Sequence, residues 1–337
     1  MSREAGVSAG APLPAPATPR RPEAIRAIPV SHPWRWVAAV LVLAFAAAVV
    51  YTLATAPLLR WEIVGQFLFF PEILHGVLVT LELTAIAMLI GISLGVVLAV
   101  MRLSANPVVS TVSWFYIWFF RGTPVLVQIF FWFEIAAILP LLRIGIPFTS
   151  LQWVGVTNDI VSPFLAAILG LGLNEAAYMS EIVRAGIISV DHGQTEAAQA
   201  LGMTRVLLMR RIVLPQAMRV IIPPTGNETI SMLKTSSLAY IATVGELFFV
   251  QKEISNFNYD IIELVIVASI WYLALTSVLT FGQYYLERHF ARGSARQLPA
   301  TPLQRLRRML FQFHTPPSEP GPGDDSPPTH TIPRSHA

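Results

Sequence analysis

Six long apolar runs restrict what this chain can fold into. Each run is long enough to cross a bilayer, which takes about 20 helical residues, and the runs lie near residues 36–58, 73–101, 112–142, 163–189, 218–250 and 260–286. Hydrophobic residues make up 54% of the chain and charged residues only 13%, which is too apolar for a soluble domain of this size. Because a helix satisfies its own backbone groups in lipid, we predict an all-α polytopic membrane protein with about six transmembrane helices.

Two of these runs are longer than one span and contain residues that break helices. Arg121-Gly122-Thr123-Pro124 is expected to interrupt the third run. Pro223-Pro224 and Gly226 are expected to interrupt the fifth.

The basic residues indicate the orientation of the spans. Most of the 23 Lys and Arg residues lie before residue 36, within 102–111 or 190–217, or after residue 286. The opposite loops contain only Arg60, Arg143 and Lys252. The positive-inside rule therefore predicts a multi-pass protein of the inner (cytoplasmic) membrane with both termini and the 190–217 loop in the cytoplasm.

The composition also suggests where domains begin and end. Pro- and Ala-rich residues 1–33 and the Pro-rich end of 291–337 cannot bury a core, so disordered cytoplasmic tails are expected there. An extra first helix and an external loop are expected at 34–72, and the transport domain at 73–290. An alternative reading takes Ala54-Thr55-Ala56 as a signal-peptide cleavage site, which would leave five spans.

The 190–217 loop has the pattern of two short helices joined at a corner. Asp191 to Leu201 favours a helix, and Gly202 can end it in the left-handed conformation. Thr204 is expected to cap a second short helix, which Pro215 is expected to stop. Small alanines on the first helix would let a partner approach its backbone.

The spacing of this loop resembles the cytoplasmic coupling loop of ABC-transporter permease subunits. The positions that carry the resemblance are Glu196, Ala197, Ala198, Gly202, Ile212, Leu214 and Pro215. Three further stretches, at residues 120–128, 174–186 and 227–238, are similar to permeases of the polar amino acid uptake family, the histidine/glutamine/arginine type.

The resemblance implies a five-helix permease core and a division of labour among subunits. Two permease chains, identical or related, would form the path, ABC ATPase subunits would dock on the coupling loop, and an extracytoplasmic amino acid binding protein would deliver the substrate. The chain contains no Gly-rich phosphate loop ending in Gly-Lys-Ser/Thr, so ATP is expected to bind a partner. A transport subunit that is not an enzyme, with no cofactor, metal or nucleic acid, is therefore expected.

Two other classes of function compete with this reading. A self-sufficient channel or ion-coupled carrier would not need the coupling loop, and no inverted repeat is evident. An intramembrane metalloprotease would need a motif such as His-Glu-x-x-His, which does not occur.

Polar groups within the spans are the candidates for contact with the substrate, because burying them in lipid is costly. Several lie about 12–17 Å deep, near the midplane. The candidates for the substrate path are Asn174, Glu175, Tyr178, Glu82 and Glu181, and the candidates for a gate are Arg121, placed at the cytoplasmic edge, and Thr123. The alternative is structural pairing, in which Glu175 or Glu181 forms an ion pair with Arg184.

Overall fold

The computed structural model describes residues 33–145 and 152–290, so the expectations for both tails lie outside the described residues. Its contacts separate two units, residues 1–59 and residues 60–337. The first unit contains helix α1 (Pro33–Ala54). The described elements of the second are α2 (Trp61–Leu68), α3 (Pro71–Arg102), α4 (Pro107–Gly122), α5 (Val125–Phe133), α6 (Ile135–Ile138), β1 (Leu141–Gly145), β2 (Gln152–Val156), α7 (Thr157–Ile160), α8 (Pro163–Ile188), α9 (His192–Ala200), α10 (Arg205–Leu208), α11 (Leu214–Thr235), α12 (Leu247–Asn258) and α13 (Ile261–Phe290).

The helical class is confirmed, and a small hairpin is added to it. Strands β1 and β2 pair antiparallel, with Arg143 opposite Val154. In the described chain, three helical segments are long and apolar enough to cross a membrane: Trp36–Ala54, Pro71–Arg102 and Ile261–Phe290. Helix α8 has 26 residues, about 39 Å, but Asn174, Glu175, Glu181 and Arg184 reduce its hydropathy. The count of six spans stays a prediction.

The two helix-breaking motifs behave differently. The third run breaks as predicted, because Thr123 is extended between α4 and α5. The prediction for the fifth run was wrong, since α11 continues through Pro223 and Pro224. The amide Nε2 of Gln283 on α13 donates to the Pro223 carbonyl at 3.3 Å, which joins α13 to α11 at this position. The helix ends only at Ser236, where a 3₁₀ segment (Ser236–Ala242) begins.

The core of the second unit lies between α3 and α8. Gly91 and Gly95 of α3 face α8, and a Cβ at Gly95 would come within 2.6 Å of the Met179 Cβ. Small residues of this kind let two helices approach closely in a membrane. The close approach places Glu175 of α8 directly against Gly91.

Residues 60–72 also pack into the second unit, although the sequence grouped them with the first helix. Val64 of α2 joins a buried cluster with Leu247 and Val267. Arg60 forms ion pairs with Asp260 and Glu263, which flank the start of α13. The short helix α2 is therefore fastened to the α12–α13 end of the bundle.

Candidate functional site

The 190–217 loop begins with the helix and corner that the sequence predicts. The Asp191 carboxylate accepts a hydrogen bond from the backbone N–H of Gly193 at 2.8 Å and caps α9. Gly202 has φ +76°, its N–H donates to the Gln199 carbonyl at 2.9 Å, and the N–H of Met203 donates to the Ala198 carbonyl at 3.1 Å. This pair of bonds is the Schellman ending of a helix, which favours Gly at the left-handed position.

The second half of the loop differs from the prediction at Pro215. The Thr204 hydroxyl accepts from the Leu207 N–H and caps α10, as predicted. Pro215 does not stop that helix, because it is the second residue of α11 and the backbone on both sides of it is helical. A π turn, Met209–Val213, joins α10 to α11 without a break.

The residues that carry the resemblance to a coupling loop are mostly exposed. Glu196, Ala197, Gly202, Leu214 and Pro215 are exposed, Ile212 is half-buried, and Ala198 is buried against Leu208 and Val213. Leu201 and Val206 flank the corner and are 83% and 78% exposed. The sequence analysis did not select them, although two apolar residues beside a helix-ending Gly are a signal that could have found them.

A second candidate site is a cavity of about 310 Å³ between α5, α8 and α11. It contains three of the predicted substrate residues, Asn174, Glu175 and Tyr178. The complete lining is Val125, Leu171, Asn174, Glu175, Tyr178, Glu228, Ser231, Met232 and Thr235. Glu228, Ser231 and Thr235 follow i, i+3, i+7 on one face of α11. Ser231 and Thr235 were not among the predicted site residues.

Glu175 is the most constrained polar group in this cavity. Its side chain is 4% exposed, and its Oε1 has no hydrogen-bond partner. Its neighbour Asn174 is also buried, and the Asn174 Nδ2 donates to the carbonyl of Phe120 at 2.8 Å. No donor among the described residues reaches this Glu175 oxygen, whereas Asn174 connects α8 to the end of α4.

Arg121 lies beside the cavity, and its expected place at the cytoplasmic edge of the membrane stays a prediction. Its Cζ is 5.0 Å from the centre of the Tyr178 ring, a cation–π contact with a cavity residue. It is 14 residues after Pro107, the first residue of α4, which corresponds to about 21 Å along the helix. Its guanidinium interacts electrostatically with Glu228.

The other predicted site residues lie elsewhere. Glu181 forms an ion pair with Arg184, with Oε2 at 2.6 Å from the guanidinium nitrogen. Glu82 is exposed and lines a separate cavity with His75 and Thr243. The Thr123 hydroxyl donates to the Phe119 carbonyl at 3.0 Å, at the break between α4 and α5. The pairing alternative thus applies to Glu181 and not to Glu175.

Comparisons with known proteins place this geometry among transporters. Residues 91–292 match the family described as "Binding-protein-dependent transport system inner membrane component". The chain is 45% identical over 291 residues to the arginine transport system permease protein ArgU of Corynebacterium glutamicum, covering 86% of this chain and 90% of that protein. It is 40% identical to the nopaline transport system permease protein NocM of Agrobacterium fabrum, over 65% of this chain and 90% of that protein.

The fold is also similar to a solved structure. A crystal structure of an amino acid ABC transporter with histidines aligns with a TM-score of 0.57 and 32% identity. The alignment covers 66% of this chain and 95% of that chain.

Proposed function

The chain belongs to the family of inner membrane components of binding-protein-dependent transport systems, and on that premise we propose that it carries polar amino acids, basic ones in particular, through the cavity between α5, α8 and α11. It is the membrane-spanning permease of an ABC importer, a transport component and not an enzyme. The transport core is proposed to be residues 73–290, and the match over 91–292 supports most of that range.

The charges around the cavity carry the proposal about the substrate. An amino acid presents an ammonium and a carboxylate. Arg121 suits the carboxylate, and Glu175 or Glu228 suits the ammonium. One carboxylate then remains for a cationic side chain. The name of the ArgU relative, an arginine permease, agrees with this charge balance.

A family member works with an ATPase and a binding protein, and the loop surface is proposed to dock the ATPase. The exposed apolar side chains of Leu201 and Val206 flank Gly202 at the corner. The loop residues Glu196, Ala197, Leu214 and Pro215 are exposed beside them. A surface of this kind offers a small apolar anchor within a polar rim, which suits a protein partner. ATP itself is proposed to bind only that partner.

A second permease chain, identical or related, is proposed to face α11. Asn227, Ser231 and Lys234 follow i, i+4, i+7 on that helix and are all exposed. A polar face of this kind is costly against lipid, so it favours a water-lined path shared with another chain.

The proposed orientation can be measured with fusion reporters. Both termini and the 190–217 loop are proposed to lie in the cytoplasm, because the basic residues concentrate there. A reporter that is active only outside the cytoplasm should be active after Val154 and silent after Val190 or Gly293. Activity in the reverse pattern would overturn the orientation.

The proposed substrate class can be tested on the purified permease–ATPase complex without its binding protein. Radiolabelled L-arginine should bind, and unlabelled L-histidine and L-lysine should compete better than L-glutamate or L-leucine. The reason is that Glu175 and Glu228 would repel an acidic side chain, and an apolar side chain would leave one of these carboxylates unpaired. Equal competition by all four unlabelled amino acids would contradict the charge-based assignment.

A further inference from the structure

The break between α4 and α5 leaves the backbone carbonyls of the last turn of α4 without helical partners, the Phe120 carbonyl among them. In a continuous helix, this carbonyl would accept from the N–H four residues later. That residue is Pro124, which has no N–H. The carbonyl therefore needs another donor, and it lies against the buried side chains of Gln128 and Asn174.

Two side-chain amides fill this position. The Nε2 of Gln128 donates to the Phe120 carbonyl at 2.9 Å, and the Nδ2 of Asn174 donates to the same oxygen at 2.8 Å. The Gln128 Nε2 also contacts the carbonyl of Thr123 at 3.1 Å and its Oγ1 at 2.7 Å. One glutamine thus joins the last turn of α4 to the extended residue that follows it.

The other polar atom of the Gln128 amide, Oε1, is left without a hydrogen bond in the described structure. The residue is 6% exposed, and its Oε1 has no hydrogen-bond partner. An unsatisfied buried acceptor costs about 1–3 kcal/mol. The bonds of its Nε2 therefore hold the side chain in place. If Gln128 served only to fill space, an apolar residue of the same size would avoid this cost.

The bonded carbonyl immediately precedes Arg121, the cation beside the cavity. The next residue, Gly122, has no atoms within 4 Å of the position of a Cβ, so no side chain packs against it there. The two amides bond the Phe120 carbonyl, which belongs to the peptide that leads directly into Arg121.

We infer that Gln128 is a positioning residue for substrate binding, which acts by orienting Arg121 toward the cavity. The inference rests on the proposed function, in which Arg121 binds the substrate carboxylate. Gln128 does not touch the substrate, and its effect is transmitted through the Phe120 peptide.

The test is a double-mutant cycle on L-arginine binding to the purified permease–ATPase complex without binding protein. Gln128→Met keeps the shape and removes the donor, and Arg121→Gln removes the cation. Each is expected to weaken the Kd about tenfold, the size of one lost charged contact. The double variant is expected to bind no more weakly than Arg121→Gln alone, because both changes remove the same contact.

Two further variants separate positioning from general stability. Gln128→Asn keeps the amide on a shorter side chain, so its Kd should lie between the wild-type value and that of Gln128→Met. Gln251→Met changes another buried glutamine, on α12 outside the cavity, and should leave the Kd unchanged.

The outcomes distinguish this inference from the proposed function. Wild-type binding by Arg121→Gln would show that Arg121 does not bind the substrate, and both ideas would fall. Weakened binding by Arg121→Gln with wild-type binding by Gln128→Met would overturn the positioning role alone. Additive losses, or failure of both Gln128 variants to assemble, would make Gln128 a structural brace and overturn it too.

Discussion

Gly202→Glu is expected to reduce coupled transport more than tenfold while the protein still inserts into the membrane. Gly202 has φ +76°, and a residue with a Cβ loses roughly 1–2 kcal/mol in that conformation. The space around it is open, so the substitution meets no steric clash. The loss should come from the strained corner and from a charge between Leu201 and Val206, where the ATPase is proposed to dock.

Gly202→Asn is the matched control, because Asn tolerates the left-handed conformation and carries no charge. It should retain most of the transport. The measurements are ATP-driven uptake in proteoliposomes, substrate-stimulated ATP hydrolysis and copurification of the ATPase. Normal uptake by Gly202→Glu would rule out the corner as a coupling surface.

Glu175→Gln is expected to weaken L-arginine binding and uptake at least tenfold without lowering the melting temperature. The side chain is buried, and its Oε1 has no partner, so its negative charge costs free energy unless a ligand compensates it. Gln keeps the shape and removes the charge. Stability should therefore stay equal or rise while function falls, the pattern of a functional residue that destabilises the fold.

Arg184→Gln supplies the comparison, because the partner of Arg184 is Glu181 and not Glu175. The pair is partly exposed, so breaking it should lower stability by no more than about 1 kcal/mol. The double variant Glu175→Gln/Arg184→Gln should show the two effects independently. Restored stability in the double variant, relative to Glu175→Gln, would identify a structural pair and remove Glu175 from the substrate site.

The features predicted well from the sequence are those that neighbouring residues decide. Asp191, Gly202 and Thr204 shape the coupling loop through caps and turns that involve only a few residues on either side. The break at Thr123 is equally local, because the proline that follows it favours the extended conformation that Thr123 adopts.

The features predicted poorly depend on contacts between distant segments. The contact of Arg121 with Tyr178, 57 positions later in the chain, cannot be read from hydropathy. Helix α11 continues through its two prolines while it packs against α8 and α13, and local helix rules take no account of that packing.

The π turn between α10 and α11 sets the direction in which the residues of α11 face around the helix axis. Such a turn contains one residue more than an α turn, and one residue corresponds to about 100° of rotation around the axis. Met209–Val213 therefore determines which side of α11 presents Glu228, Ser231 and Thr235 to the cavity. Restoring regular α geometry there would turn these residues away from Glu175. The geometry of the loop therefore sets which residues of α11 line the cavity.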